Sequence, residues 1–368
     1  MEVLCTSPWV PPEWIKAHGL EPRGVWLAKD FGDEPLSLAA GVCAFANAAV
    51  RLTERQSQAA VIFTTHCDQL RRGFDTVAEA APSRLFLFNL PVTWQTPVAE
   101  RIFCDELRRL GQFLIGLGGH APAIGELAEL MGQYSEARRR LLAAAPWCPA
   151  RAYAEAVARF HHDGSVHLPP EPSTTALGLN TTTTAAAQPA LALVGGPLPQ
   201  SQLPLLDAIE KAGGRVVLNA TEAGERSLWS ASPMDRAQPD FGDPERSVYA
   251  AETSVDQAGQ DLSVTVSTPN SCSVNAALPA LLARACLANC VDVFQRPNTR
   301  LYDWLRERLT ARKVRGIVLW HYVGCDLWRA EAQPMRTAFG LPVLLLDADE
   351  AAPRRNTGRL EAFLESLR

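Results

Sequence analysis

The sequence predicts an α/β protein built as two doubly wound lobes with mainly parallel sheets. Three observations carry this expectation. Short, wholly apolar runs alternate with helical patterns, a segment with little to bury interrupts the alternation, and the alternation then resumes. Apolar strands of this kind need helices on both faces, as in parallel sheets. At roughly 100–200 residues per domain, the 368 residues accommodate two lobes.

In the first half, Gly24 to Ala28, Ala60 to Thr64 and Arg84 to Phe88 have the length and the branched or aromatic content of buried strands. From Ala99 to Leu117, apolar Ile102, Phe103, Leu107, Leu110, Phe113 and Leu114 recur at spacings of three and four, which predicts a helix. Gly116-Leu117-Gly118-Gly119 follows that helix where a dinucleotide loop requires a strand, so it reads as a helix stop. Pro169, Pro170 and Pro172 then lead into a Thr/Ala run, a linker composition. The expected division is 1–165, linker 166–187, and 188–368. Beyond it, Leu191 to Val194 is a strand closed by Gly195-Gly196-Pro197, and Leu203 to Ala212 is a helix stopped by Gly213-Gly214. Arg215 to Leu218, Gly316 to Trp320 and Pro342 to Leu346 are further strands. The apolar stretch Val274 to Val291 contains Asn275, Pro279, Arg284 and Asn289, and reads as a buried helix, not a membrane span.

Composition excludes several functions. With 35 Lys+Arg against 40 Asp+Glu, no basic surplus exists to neutralise nucleic-acid phosphates. The 47% hydrophobic content rules out disorder for most of the chain. The segment Met1 to Pro8 lacks a basic region followed by an apolar core, and nine scattered cysteines do not form a disulfide framework. A reducing cytoplasm is the expected compartment. There is no G-x-x-x-x-G-K-[ST] loop, so ATP hydrolysis is not expected in this chain, and no G-x-S-x-G elbow.

A chemical pattern repeats. Ala60 to Thr64 leads through Thr65-His66 to Cys67-Asp68, and Gly316 to Trp320 leads to Cys325-Asp326, each followed by a helical segment. Both cysteines fall just beyond the carboxyl end of a strand, where open α/β sheets keep their ligand crevice. Asp68 and Asp326 are expected to cap the next helix, whose positive end favours a thiolate. Cys43, opening the small-residue run Ala44 to Ala49, is a third candidate. Three thiolates from different loops can hold three irons of a cubane cluster and leave the fourth open. Their separations match no compact ferredoxin spacing, so on spacing alone the plainer reading leads: three buried small apolar residues. Zinc on some combination of His66, Cys67, His321 and Cys325 is the rival metal.

The remaining candidates have ordinary readings. Cys286 and Cys290 share one face of a helix from Leu278 to Asn289 and read as packing residues. Cys5, Cys104, Cys148 and Cys272 have no organised context. His161, His162 and His167 read as a solvated loop beside the linker. Asp347 and Asp349, at the end of the last strand, suit either the crevice or the surface.

At these residues the sequence resembles the 2-hydroxyacyl-CoA dehydratase D-component family, which includes benzoyl-CoA reductase subunits and double-cubane cluster proteins. The resemblance runs in order through Thr6-Ser7-Pro8-Trp9, Gly41-Val42-Cys43, Thr64 to Arg71, Gly195 to Leu198, Gly213 to Val217, Arg296-Pro297-Asn298, Cys325-Asp326 and Gly358 to Glu365. It implies that Cys43, Cys67 and Cys325 ligate a 4Fe–4S cluster in the cleft between the lobes, or alternatively a double-cubane 8Fe–9S cluster. It further implies a related second subunit or a homodimer, a separate ATP-hydrolysing iron–sulfur activator, and an acyl-CoA or aryl-CoA substrate. The implied activity is radical dehydration or reduction of the CoA thioester. The alternatives are a homodimeric double-cubane reductase of small molecules and a non-catalytic electron-transfer or structural subunit. Asn356-Thr357-Gly358-Arg359 stands where the family carries a Gln-rich stretch, and this departure bears on substrate positioning.

Overall fold

Two sheets of four parallel strands organise the computed structural model, which describes residues 1–27, 42–171, 188–229, 271–348 and 352–368. In chain order the first half contains β1 (Glu2–Cys5), α1 (Pro12–Ala17), β2 (Glu21–Gly24), α2 (Ala44–Arg55), β3 (Ala60–Thr64), α3 (Asp68–Ala78), β4 (Leu85–Phe88), α4 (Pro97–Gly116), α5 (Ile124–Ala144) and α6 (Ala150–Asp163). The second half contains β5 (Ala190–Gly195), α7 (Pro204–Lys211), β6 (Arg215–Ala220), α8 (Ser271–Asn289) and α9 (Thr299–Ala311). It continues with β7 (Gly316–His321), α10 (Asp326–Ala330), α11 (Ala332–Phe339), β8 (Val343–Asp347) and α12 (Ala352–Ser366).

The sheets are wound alike, β2-β1-β3-β4 and β6-β5-β7-β8, with every pairing parallel. Val3 lies opposite Ala60 and Val61 opposite Leu85; in the second sheet Leu191 lies opposite Gly316 and Ile317 opposite Val343. In each sheet the order reverses between its first and third strands in sequence. Such a reversal opens a crevice beyond the carboxyl ends, where α/β proteins hold ligands. The α/β class expected from the sequence is therefore the observed one.

All residues of β3, β5 and β7 are buried, as central strands covered on both faces require. Each buried Val, Leu, Ile or Phe there contributes about 1.5–3 kcal/mol. Two strands differ from expectation. The apolar run Val25–Leu27 forms a 3-10 turn, and the strand lies before it at Glu21–Gly24. That strand contains Pro22, tolerated because β2 is an edge. β1 was not expected at all.

Local signals place the helices. Thr96 Oγ1 accepts the Ala99 N–H (3.2 Å) and Pro97 opens α4. Gly118, at φ +96°, and the Gly119 N–H donating to the Leu114 carbonyl (3.1 Å) end it, so the glycine run is a helix stop. The expected helix Leu278 to Asn289 is the later part of α8. It packs on α4, placing Leu282, Ala283, Cys286 and Cys290 in one core with Phe103 and Leu107. A helix from the second half of the chain thus completes the core of the first sheet. Cys5, Cys104 and Cys148 are buried; the side chain of Cys272 lies outside the described residues, as do 172–187 of the expected linker.

Candidate functional site

Three chain segments converge on one pocket. β3 ends at Thr64, and the chain turns through Thr65-His66 so that Cys67 becomes the residue capping α3. β7 ends at His321, and Gly324, at φ +87°, turns the chain so that Cys325 caps α10. Cys43 caps α2, and its backbone N–H donates to Gln69 Oε1 (2.7 Å), which ties the start of α2 to α3. Cys43, Cys67 and Cys325 line the same pocket, together with Glu222, Asp292 and Tyr322. Its empty space, open mouth included, is about 490 Å³. It lies at the carboxyl ends of β3 and β7, where both sheets reverse their strand order.

Two expectations about these cysteines are corrected. Asp68 and Asp326 are not the caps: the cysteines take that position and each Asp sits in the first turn, where it complements the helix dipole. Nor does the helix end win the thiolate. Burial, with a neighbouring cysteine acting in the same direction, pushes Cys43 and Cys67 up to about 12 and Cys325 up to about 11. Backbone N–H groups pull in the opposite direction and are outweighed. Cys43 is buried and Cys67 and Cys325 are partly buried; a metal bound among the three thiols would deprotonate them outright. In donor type and burial the trio fits an iron–sulfur group.

Zinc at His66, Cys67, His321 and Cys325 is not formed. Among the described residues no three His, Cys, Asp or Glu side chains are grouped around a single ion. His321 Nε2 lies 2.8 Å from Asp347 Oδ1, and its Nδ1 is 3.0 Å from the Tyr322 carbonyl. Asp347 thereby serves the end of the sheet, and its carbonyl also accepts from Asn356; Asp349 lies outside the described residues. His161 and His162 are not a loop but the last turn of α6. His161 Nε2 lies 2.7 Å from Ser227 Oγ, and His162 Nδ1 lies 3.2 Å from the Gly24 carbonyl. His167 is exposed.

Two carboxylates on the pocket wall were missed from the sequence. Asp292 is 3% exposed and held by Arg226, itself 1% exposed, through Nη1 to Oδ2 at 2.7 Å. Arg226 also donates to the carbonyls of Ala220, Val291 and Gly195, so one guanidinium fixes the ends of β5 and β6 against the segment after α8. Glu222 is 4% exposed. Its Oε1 accepts from Ser7 Oγ (3.3 Å) and lies 3.5 Å from His66 Nε2. Burial opposes protonation of His66, but the adjacent Glu222 outweighs it and raises the pKa. The one signal available in sequence was an acidic residue just past the end of a strand.

Two parallel α/β lobes, with cysteines delivered to a shared pocket from both, define the class of this protein. The chain belongs to the family described as 2-hydroxyglutaryl-CoA dehydratase, D-component, whose model matches residues 9–247 and 262–367. It is thus a component of 2-hydroxyacyl-CoA dehydratase-like enzymes. Among curated proteins none matches the chain. Among the described residues no helix is long and apolar enough to cross a membrane.

Proposed function

We propose that this chain is the iron–sulfur subunit of a 2-hydroxyacyl-CoA dehydratase or a benzoyl-CoA reductase-like enzyme, with Cys43, Cys67 and Cys325 as cluster ligands. The observation that carries the reading is that these three cysteines, far apart in sequence, line one pocket at the reversal points of both sheets. The lobes are 1–165 and 188–368, joined by 166–187. When bound, a low-potential cluster supplies single electrons to a CoA thioester, the chemistry of radical dehydration or aryl reduction. The chain's own residues prepare for it. Phe45, Leu70 and Trp328 give the pocket an apolar wall that limits water, and Arg226 keeps the Asp292 charge compensated. The chain works in the cytoplasm beside a related second subunit or a second copy, and receives its electrons from a separate ATP-hydrolysing iron–sulfur activator. Anaerobic purification followed by iron and acid-labile sulfide analysis tests the reading. Iron with matching sulfide is expected; zinc alone, or no metal after reconstitution with iron and sulfide, overturns it.

A further inference from the structure

Resting on the cluster reading above, we propose that Glu222 is a fourth, displaceable ligand on the open side of the group held by Cys43, Cys67 and Cys325. The carboxylate lines the same pocket as the three thiols and is 4% exposed. One of its oxygens is occupied, since Oε1 accepts from Ser7 Oγ and faces His66 Nε2. The other, Oε2, receives no hydrogen bond from any described residue and is not sealed into the protein interior. A carboxylate buried this deeply ordinarily has its lone pairs satisfied. Here one side is anchored and the other is left to the pocket.

The other polar groups on the wall are spoken for. Asp292 is taken by Arg226 and by the Phe294 N–H. His66 has Thr64 Oγ1 at 2.7 Å on Nδ1 and Glu222 on Nε2. Tyr322 presents a neutral phenol, a weaker donor to iron than an anionic oxygen. Glu222 is therefore the one anionic group on the described wall with an uncommitted donor atom.

Its chemistry gives the position a use. Carboxylate is a harder ligand than thiolate and binds soft, sulfide-rich iron less firmly. Glu222 can cap the open position at rest and yield it to a substrate oxygen. Ser7, just after β1, and His66, just after β3, hold the carboxylate through its Oε1.

The test uses the full-length chain reconstituted anaerobically with iron and sulfide, then reduced and followed by EPR during titration with 2-mercaptoethanol as the incoming ligand. Wild type, Glu222→Gln and Glu222→Ala are expected to hold equal iron. Both variants should change spectrum at about one tenth of the thiol concentration that wild type needs, a shift equivalent to about 1.4 kcal/mol. Identical titrations in all three proteins overturn the assignment. Should Glu222→Ala hold no iron while wild type does, Glu222→Cys decides: recovery of iron through a thiolate at this position supports ligation, and no recovery overturns it. A wild-type chain that takes up no iron overturns the cluster reading itself, an outcome distinct from equal titrations.

Discussion

Cys67 and Cys325 occupy equivalent positions in the two lobes, each capping the helix that follows the third strand, in sequence order, of its sheet. With Cys43 they are the cysteines on the described pocket wall. Serine at any of the three should leave a folded protein that loses most of its reconstituted iron and sulfide. Cys104→Ser, on the buried face of α4, should retain both. Metal content beside far-UV circular dichroism checks this; equal loss in all four variants would mean general misfolding instead.

The pocket also depends on a charge pair that never meets bulk water. Arg226→Met removes the partner of Asp292 and leaves a carboxylate buried and uncompensated. Breaking such a pair costs about 3–5 kcal/mol. Urea denaturation should show that loss, and adding Asp292→Asn should restore part of it because the stranded charge is removed. A loss below about 1 kcal/mol for Arg226→Met would contradict a compensated buried pair.

Much of this arrangement is legible in the sequence, for reasons particular residues make plain. β3, β5 and β7 announce themselves because central parallel strands are apolar on both faces. β1 and β2 do not: Glu2-Val3-Leu4-Cys5 is short, and Glu21-Pro22-Arg23-Gly24 reads as a turn until its place at the sheet edge is seen. The repeated strand–Cys-Asp pattern marks Cys67 and Cys325 on its own, and the small-residue run with the family resemblance adds Cys43. Glu222 and Asp292 escape notice because their partners, His66 and Arg226, are brought to them only by the tertiary fold. The thiols are misjudged for the same reason, since burial outweighs helix-end N–H groups and burial is a property of the assembled core.

Gly195 closes β5 at φ +149°, and a Cβ there would stand 1.9 Å from the Trp320 carbonyl oxygen on the neighbouring β7. Neither atom is the end of a flexible side chain, so the strands themselves must move. Gly195→Ala should cost about 3 kcal/mol or more, from backbone strain and overlap together. Gly118→Ala is the control: its φ is +96°, but nothing lies within 4 Å, so only strain of about 1–2 kcal/mol applies. Thermal unfolding should rank the two in that order; equal shifts would mean that β5 and β7 separate without penalty.

His161 gives the fold a defined acid sensitivity. Burial pushes its pKa down to about 3, with the Arg138 charge acting in the same direction. Its ring packs 5.4 Å from Trp26 and 5.2 Å from Phe160, with Nε2 against Ser227 Oγ, whose own hydroxyl donates to the Gly224 carbonyl. The folded chain therefore keeps this imidazole neutral, whereas the unfolded chain protonates it near pH 6.5. Between those two values the unfolded state binds the extra proton, so stability rises with pH there. The contribution is complete above about pH 6.5 and is lost as pH falls toward about 3. His161→Gln keeps a donor for Ser227 and removes the titration. Its stability, measured by urea denaturation from about pH 7 to about pH 4.5, should fall less steeply than wild type, by up to about 1.4 kcal/mol per pH unit. Parallel slopes would show that the ring takes up its proton equally in the folded chain.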